Sequence, residues 1–188
     1  MTGAAAVAGS QYLWFVSRAS GVMLLVLLSF VLILGAATRL GSAPAWLPRF
    51  GVSELHRGLS LFAVILLGVH VATAILDPYV TIGWLAAIVP LTSPYRTLAI
   101  GLGAAAVDLG AAVLLTSLLR RRLGFRAWRA VHWLAYLAWP VAYAHSVTAG
   151  ADLGVWWVAA AEYASVSMAA GAVVARLLTH AGNRAVRG

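Results

Sequence analysis

The stretch that decides the fold is LHRGLSLFAVILLGVH, residues 55–70, in which His56 and His70 bracket an apolar run. A second stretch, VHWLAYLAWPVAYAHS at residues 131–146, repeats the arrangement with His132 and His145. Both runs lie in apolar segments long enough to cross a bilayer, where an imidazole needs a polar partner or a metal. Two such pairs predict a membrane protein whose histidines bind a metal or relay protons.

The spacing within each pair places one histidine near each face of the membrane. Separations of 14 and 13 residues correspond to about 20 Å along a helix, within a hydrocarbon core of about 30 Å. If the two helices run the same way, His56 meets His132 and His70 meets His145. Neutral imidazole is a common axial ligand of haem iron, and two per iron leave no open position, as in an electron carrier. The pattern therefore predicts two bis-histidine haems.

Helical phase and simple packing both limit this prediction. At about 100° per residue, 14 residues return to within about 40° of the starting direction, whereas 13 residues miss it by about 140°. Pro140 lies between His132 and His145, and a proline kinks or rewinds a helix, which could bring both rings to one side. The alternative is a membrane scaffold or small-molecule carrier without haem, in which the histidines only hydrogen-bond.

Composition places the whole chain in a membrane. Of its 188 residues 63% are hydrophobic, only five are acidic, and the mean hydropathy is +0.93; no soluble domain of this size has such a composition. The absence of cysteine excludes disulfides, thiolate-ligated iron–sulfur clusters and covalently attached c-type haem, so any haem is of the b type. Nucleic acid is not an expected partner, because the arginines cluster at the ends of the spans and form no separate basic domain.

Apolar runs and their breakers predict an all-α integral membrane fold with five spans in one domain, residues 12–179, and short tails at 1–11 and 180–188. The predicted spans are 15–38, 55–77, 97–119, 129–149 and 154–178. The apolar segment 80–91 is too short for another span and predicts an interfacial or re-entrant segment. A cleaved signal peptide is the alternative for the first run and would leave four spans.

The distribution of arginine predicts the orientation. One end of the predicted bundle carries most of the arginines, including Arg120, Arg121 and Arg122, and the other carries only Arg18 and Arg96. Because cytoplasmic loops hold the excess of positive charge, we expect the N-terminus outside and the C-terminus in the cytoplasm. His56 with His132 would then lie near the cytoplasm, and His70 with His145 near the outer face. We call these the inner pair and the outer pair.

Other charged residues are candidates for supporting roles. Arg57 and Arg129 lie close to the inner ligands and could pair with haem propionates, as Arg18 and Arg96 could on the outer side, although each could equally be a membrane-surface anchor. Asp108 lies midway along the third predicted span, where a carboxyl group must be neutral, paired or beside water. A packing role and a proton-linked role both remain open for it.

Several motifs resemble the ferric reductase-like transmembrane family, the haem domain shared by iron-chelate reductases, NADPH oxidases and the membrane partner of a bacterial periplasmic methionine sulfoxide reductase. The resemblance lies in Leu55-His56-Arg57 through His70, in Arg129-Ala130-Val131-His132 through His145-Ser146, and in the basic loop of residues 120–129. Leu76-Asp77-Pro78-Tyr79 and Tyr95-Arg96 are similar to motifs of small actinobacterial members. The resemblance implies a multi-pass protein of a bacterial cytoplasmic membrane with four haem-ligating histidines.

The resemblance also implies a function. It is that of a b-type cytochrome, an oxidoreductase component that passes electrons from a cytosolic flavoprotein or quinol to an extracytoplasmic acceptor: ferric iron, a flavoprotein or methionine sulfoxide reductase. No Gly-rich phosphate-binding turn after a strand is found here, so flavin is expected only on a partner, and enzyme activity is left open. The redox alternative is a quinol-oxidising cytochrome b subunit of a larger complex, with Asp108 or Glu162 taking the quinol protons.

Overall fold

The computed structural model describes residues 2–41, 48–150 and 154–185, and the side chains within those ranges from Gln11 to Leu178. This part of the chain is helical and contains no strand. The helices are α1 (Thr2–Leu40), α2 (Arg49–Leu76), α3 (Thr97–Leu118), α4 (Arg120–Leu123), α5 (Phe125–His132), α6 (Ala135–Ala149) and α7 (Trp156–Ala185), with a short 3-10 turn at Trp84–Ala87. The predicted all-α class is confirmed.

Four of these helices are long and apolar enough to cross a membrane. They are Gln11–Leu40 of α1, the whole of α2, the whole of α3, and Trp156–Leu178 of α7. The predicted spans 15–38, 55–77, 97–119 and 154–178 fall on them. Helix α2 begins earlier than predicted because Pro48, whose carbonyl accepts the N–H groups of Gly51 and Val52, starts the helix.

The predicted span 129–149 falls on two shorter helices, α5 and α6, separated by Trp133 and Leu134. Neither is long enough to cross a membrane alone, so the count of five spans is not confirmed. Pro140, where we expected the irregularity, lies inside α6, and the break precedes it. A proline disturbs the turn before it, because it has no N–H for the carbonyl four residues back and its ring crowds that carbonyl.

The turn between α5 and α6 is wound more tightly than an α-helix. Its backbone bonds join residues three apart: Leu134 to Val131, Tyr136 to Trp133, and Leu137 to Leu134. Three residues per turn advance the chain by about 120° per residue instead of 100°. This added rotation reduces the phase mismatch between His132 and His145, so a rewound helix is what the structure shows, at a different position from the one predicted.

Within the segment 80–91, the 3-10 turn Trp84–Ala87 contacts α3 and α2. Leu91 approaches Gly101 so closely that a Cβ at this glycine would lie 2.7 Å from Leu91 Cδ2 and 2.9 Å from its backbone nitrogen. The segment has no regular structure beyond the 3-10 turn, which fits its predicted shortness. A re-entrant path for it is not confirmed.

Helix α1 is the centre of the bundle, since it packs against α2, α6 and α7, while α3 packs against α5 and α6. The core cluster joins Leu25 and Leu32 of α1 to Trp139 of α6 and Ala169 of α7. Within it, the Trp139 indole N–H donates to the hydroxyl of fully buried Ser29 at 2.9 Å. Among the described residues, α2 and α6 make no extensive contact with each other. The histidine rings of α2 therefore face those of α5 and α6 across a gap between segments that make little direct contact.

Candidate functional site

The four histidines of the sequence pattern come together in two pairs between α2 and the α5–α6 segment. The ring centroids of the inner pair, His56 and His132, are 6.3 Å apart with an angle of 71° between the ring planes. Those of the outer pair, His70 and His145, are also 6.3 Å apart, at 78°. The structure thus brings together the histidines that we expected to pair from their depth in the membrane and from the direction of their helices.

The separation within each pair suits one metal ion bound between the two rings. With metal–nitrogen bonds of about 2.0 Å, and about 1.1 Å from each nitrogen to its ring centroid, two opposite imidazoles would have centroids about 6.2 Å apart. A direct hydrogen bond between the rings would need a shorter approach of their nitrogens. Among the described residues no group of three or more His, Cys, Asp or Glu side chains could hold a bare metal ion. Two opposite imidazoles instead fit the axial ligand set of a haem.

Hydrogen bonds to backbone carbonyls fix the protonation of three of the rings. Nδ1 of His70 lies 2.8 Å from the Ser17 carbonyl, Nδ1 of His145 lies 2.7 Å from the Ala99 carbonyl, and Nδ1 of His56 lies 3.0 Å from the Val31 carbonyl. A carbonyl oxygen only accepts, so each Nδ1 carries the proton and donates it. Nε2 is then left with its lone pair, which is the form that binds a metal.

Glycines let these rings approach the neighbouring helix. A Cβ would lie 2.9 Å from His70 Cε1 at Gly21, 3.2 Å from His56 Cε1 at Gly35, and 2.7 Å from His145 Cε1 at Gly103. Each glycine follows the accepting carbonyl by four residues, so the ring covers one helical turn with no side chain beneath it. We call this arrangement the glycine cradle. It was not predicted from the sequence, although the 14-residue spacing of Gly21 and Gly35 equals that of the histidines they face.

His132 has a different partner. Its Nδ1 lies 3.4 Å from the hydroxyl oxygen of Ser117 on α3. That oxygen also accepts from the indole N–H of Trp128 at 3.2 Å, and its own proton goes to the Val113 carbonyl at 2.7 Å. Neither serine nor tryptophan was singled out from the sequence.

Comparison with known families identifies the family of this chain. The family described as ferric reductase like transmembrane component matches residues 20–143, more than half of the chain. The chain belongs to the ferric reductase-like transmembrane family. No curated protein and no solved structure matches it. Three of the four histidines lie within the matched residues and His145 lies two residues beyond them. Membership of this family indicates a multi-pass membrane protein and a membrane component of electron transfer.

Two partly buried arginines lie close to the histidine pairs in this ferric reductase-like protein. The Arg18 guanidinium lies 5.2 Å from the ring centroid of Trp14, and its charge acts on His70. The Arg176 guanidinium lies 4.2 Å from the ring centroid of Trp133, and its charge acts on His132. Arg18 was a sequence candidate. Arg176 was not, although it is the only arginine inside the last predicted span.

The other candidate arginines are exposed. Arg129 lies over the ring of Phe125 at 5.2 Å. Arg96 donates from Nη1 to the carbonyl of Ala149 at 2.9 Å and so caps the C-terminal end of the helix that carries His145. Arg57 is exposed, and its role, like those of Arg96 and Arg129, stays a prediction.

The carboxyl groups of this family member differ in their surroundings. Glu162 of α7 is only 5% exposed, and its Oε1 accepts from the hydroxyl of Ser146, the residue after His145, at 2.8 Å. Asp108 is exposed on α3. Five residues separate it from Gly103, which turns it about 140° away from the face that meets His145. Of the two, Glu162 contacts the residue that follows His145 in the chain.

Proposed function

We propose that this chain is a transmembrane b-type cytochrome that holds two bis-histidine haems and passes electrons from one face of the membrane to the other. The observation that carries the proposal is the two histidine pairs of equal 6.3 Å separation. They lie on the same two segments, 14 and 13 residues apart, or about 20 Å along the helices. The donated Nδ1 protons leave Nε2 of the rings available as ligands.

The proposal includes a fifth crossing of the membrane by α5 and α6 together. Residues 125–149 span about 37 Å as a helix, which exceeds a core of about 30 Å. With five crossings α2 and α5–α6 run in the same direction, as the pairing of His56 with His132 and of His70 with His145 requires. Most arginines then lie on one side, which we assign to the cytoplasm of a bacterial cell, with the N-terminus outside.

The groups of this chain have distinct roles in the proposal. When bound, haem b supplies the one-electron chemistry of its iron, and the protein supplies ligation, orientation and electrostatics. The carbonyl bonds hold the imidazoles in place and raise their basicity. Arg18 and Arg176 are the partly buried cations nearest the outer and inner pairs and suit haem propionates. Arg57, Arg129 and Arg96 are the alternatives from the sequence.

The direction of transfer follows from the proposed orientation. A cytosolic flavoprotein or quinol would reduce the inner haem, and the outer haem would reduce an extracytoplasmic acceptor, such as ferric iron, a flavoprotein or a methionine sulfoxide reductase. The exposed arginines of α4 and α5 form a basic surface next to the inner pair that suits an acidic donor protein. They are Arg120, Arg121, Arg122, Arg126 and Arg129.

The second candidate function is that of a quinol-oxidising cytochrome b subunit. The observation that favours it is the buried carboxyl group of Glu162, which is linked through Ser146 to the outer pair. Quinol oxidation releases protons, and a buried carboxyl group beside a haem ligand could accept one. In this function Glu162 is a better placed acceptor than Asp108.

The proposal is tested by a reduced-minus-oxidised visible spectrum of the purified protein, with haem counted per chain. We expect close to two b-type haems in the wild type and about one in His70→Ala. The matched control is His180→Ala, which changes the one histidine outside the pairs and should keep both haems. A protein that stays colourless after reconstitution with haem would overturn the proposal in favour of a scaffold or carrier.

A further inference from the structure

Helix α3 contacts one histidine of each pair, His145 of the outer pair and His132 of the inner pair. On α3 the His145 ring is held by the Ala99 carbonyl above Gly103. Fourteen residues further along the same helix are Val113 and Ser117, and the Ser117 hydroxyl contacts Nδ1 of His132. On α1 the same 14-residue repeat gives two glycine cradles. On α3 the second cradle has a serine in place of glycine.

Serine changes what His132 can bond to. The Val113 carbonyl, the equivalent of the Ala99 carbonyl, accepts the hydroxyl proton of Ser117 at 2.7 Å. A serine hydroxyl has one proton, and the indole N–H of Trp128 can only donate. The Ser117 oxygen is therefore an acceptor toward both Trp128, at 3.2 Å, and His132, at 3.4 Å. His132 shares this acceptor and has the longest Nδ1 hydrogen bond of the four histidines.

The strength of the Nδ1 bond affects the iron. A strong acceptor at Nδ1 raises the basicity of the imidazole, and a more basic ligand favours ferric over ferrous iron. Both outer ligands, His70 and His145, bond carbonyls at 2.8 and 2.7 Å. The inner ligands have one carbonyl bond at 3.0 Å and the weak serine bond. The arginines do not distinguish the two sites, because Arg176 acts on His132 and Arg18 acts on His70.

From this contrast we propose that Ser117, held by Trp128, is a positioning residue that makes the two haem sites unequal and gives the inner haem the higher reduction potential. The inference rests on the proposed dihaem function and deepens it. An electron from the cytoplasmic side would then remain on the inner haem in the absence of a membrane potential. A potential that is negative inside would favour its transfer outward, so transfer to the outer haem would depend on the energised state of the membrane.

The experiment measures the midpoint potential of each haem separately. His70→Ala retains the inner haem and His132→Ala the outer one, so each background gives one midpoint. We expect the higher midpoint in the first background. Ser117→Gly would create a glycine cradle at this position, because it frees the Val113 carbonyl from the Ser117 hydroxyl. It should lower the inner midpoint by at least a threefold change in the reduction equilibrium, or about 28 mV for one electron.

Matched variants separate this role from simple damage to α3. Thr116→Gly makes the same kind of change at the neighbouring residue, whose hydroxyl also bonds to a carbonyl of its own helix, and should leave the inner midpoint unchanged. Ser117→Thr keeps the hydroxyl and should keep the wild-type value. Trp128→Phe removes the competing donor and should lower the inner midpoint. In the His132→Ala background, Ser117→Gly should not move the outer midpoint.

The outcomes are distinguishable from those that test the function. An inner midpoint potential at or below the outer one would overturn the inference. So would an inner midpoint that Ser117→Gly leaves unchanged, raises, or shifts no more than Thr116→Gly does. In these cases two haems per chain would still support the cytochrome. Failure of the wild type to bind haem would overturn both.

Discussion

Gly103 of α3 lies directly beneath the ring of His145, where a Cβ would come within 2.7 Å of Cε1 and 2.8 Å of Nδ1. Contacts below about 3 Å with a ring cannot be kept, so either the ring or the helix would have to move. The same approach lets His145 reach the Ala99 carbonyl at 2.7 Å. The position of this outer ligand therefore depends on the absence of a side chain at Gly103.

Gly103→Ala should displace His145 and lower the haem content from about two per chain toward one. The measurement is haem per chain by the pyridine haemochrome method. The control is Gly110→Ala on the same helix, because a Cβ there meets nothing within 4 Å and alanine favours a helix over glycine by up to about 1 kcal/mol. Equal haem content in both variants would contradict the role of the cradle.

The glycine cradles should also differ in how well they tolerate substitution of the glycine by alanine. A Cβ would lie 2.9 Å from the ring at Gly21 and 3.2 Å at Gly35. The second distance allows adjustment by a few tenths of an ångström, so Gly35→Ala should retain more haem than Gly21→Ala. Haem titration of the two purified variants gives the comparison, and the reverse order would count against a steric cause.

Arg176→Ala should lower the midpoint potential of the inner haem. A positive charge near the iron favours the ferrous state, and the Arg176 charge acts on His132. Arg57→Ala is the control, since Arg57 is exposed and solvent screens its charge. Redox titration in the His70→Ala background measures both. A larger shift of the inner midpoint potential in Arg57→Ala than in Arg176→Ala would favour Arg57 as the propionate partner, as the sequence first suggested.

Glu162→Gln tests the quinol function. Glutamine keeps an oxygen that can accept the Ser146 hydroxyl at a similar distance, but it cannot take up a proton. If quinol is the donor, reduction of haem by a quinol should be strongly slowed while reduction by dithionite is unchanged. Asp108→Asn serves as the comparison, because Asp108 is turned away from the outer pair. Unchanged quinol kinetics in Glu162→Gln would rule out Glu162 as the proton acceptor.

Trp139→Phe should lower thermal stability without altering the haem spectrum. It leaves the fully buried Ser29 hydroxyl without the indole donor at 2.9 Å, and such bonds inside membrane proteins contribute about 0.6–2 kcal/mol. The measurement is the temperature at which the haem absorbance is lost in detergent. Trp156→Phe is the control, because Trp156 is 81% exposed. Equal loss of stability in both would mean that the bond contributes nothing.

The pairing of the histidines could be predicted because it depends on two regular quantities. The helical rise fixes the depth of His56 relative to His70 and of His132 relative to His145, and the arginines indicate which helices run in parallel. Four long apolar runs predict four of the helices for the same reason, since the length of a crossing is set by the thickness of the bilayer.

The local support of the rings could not be predicted in this way. The tight turn before Pro140 forms from bonds between residues three apart, and sequence alone did not place it at Trp133 and Leu134. The roles of Gly103 and Ser117 depend on which face of α3 meets His145 and His132. That face is set by packing between distant parts of the chain, and the many small residues of α3 give no clear apolar stripe.

The gap between α2 and α6 has a consequence for assembly. Helix α2 packs against α1, and α6 packs against α3 and α1, so the two imidazoles of each pair are carried by segments that make little direct contact with each other. A group ligated by both rings would connect these segments directly, at two depths in the membrane. Binding of the two cofactors would then complete the packing of the bundle as well as the path for electrons. The order in which the two cofactors bind would be a step in the biogenesis of the protein.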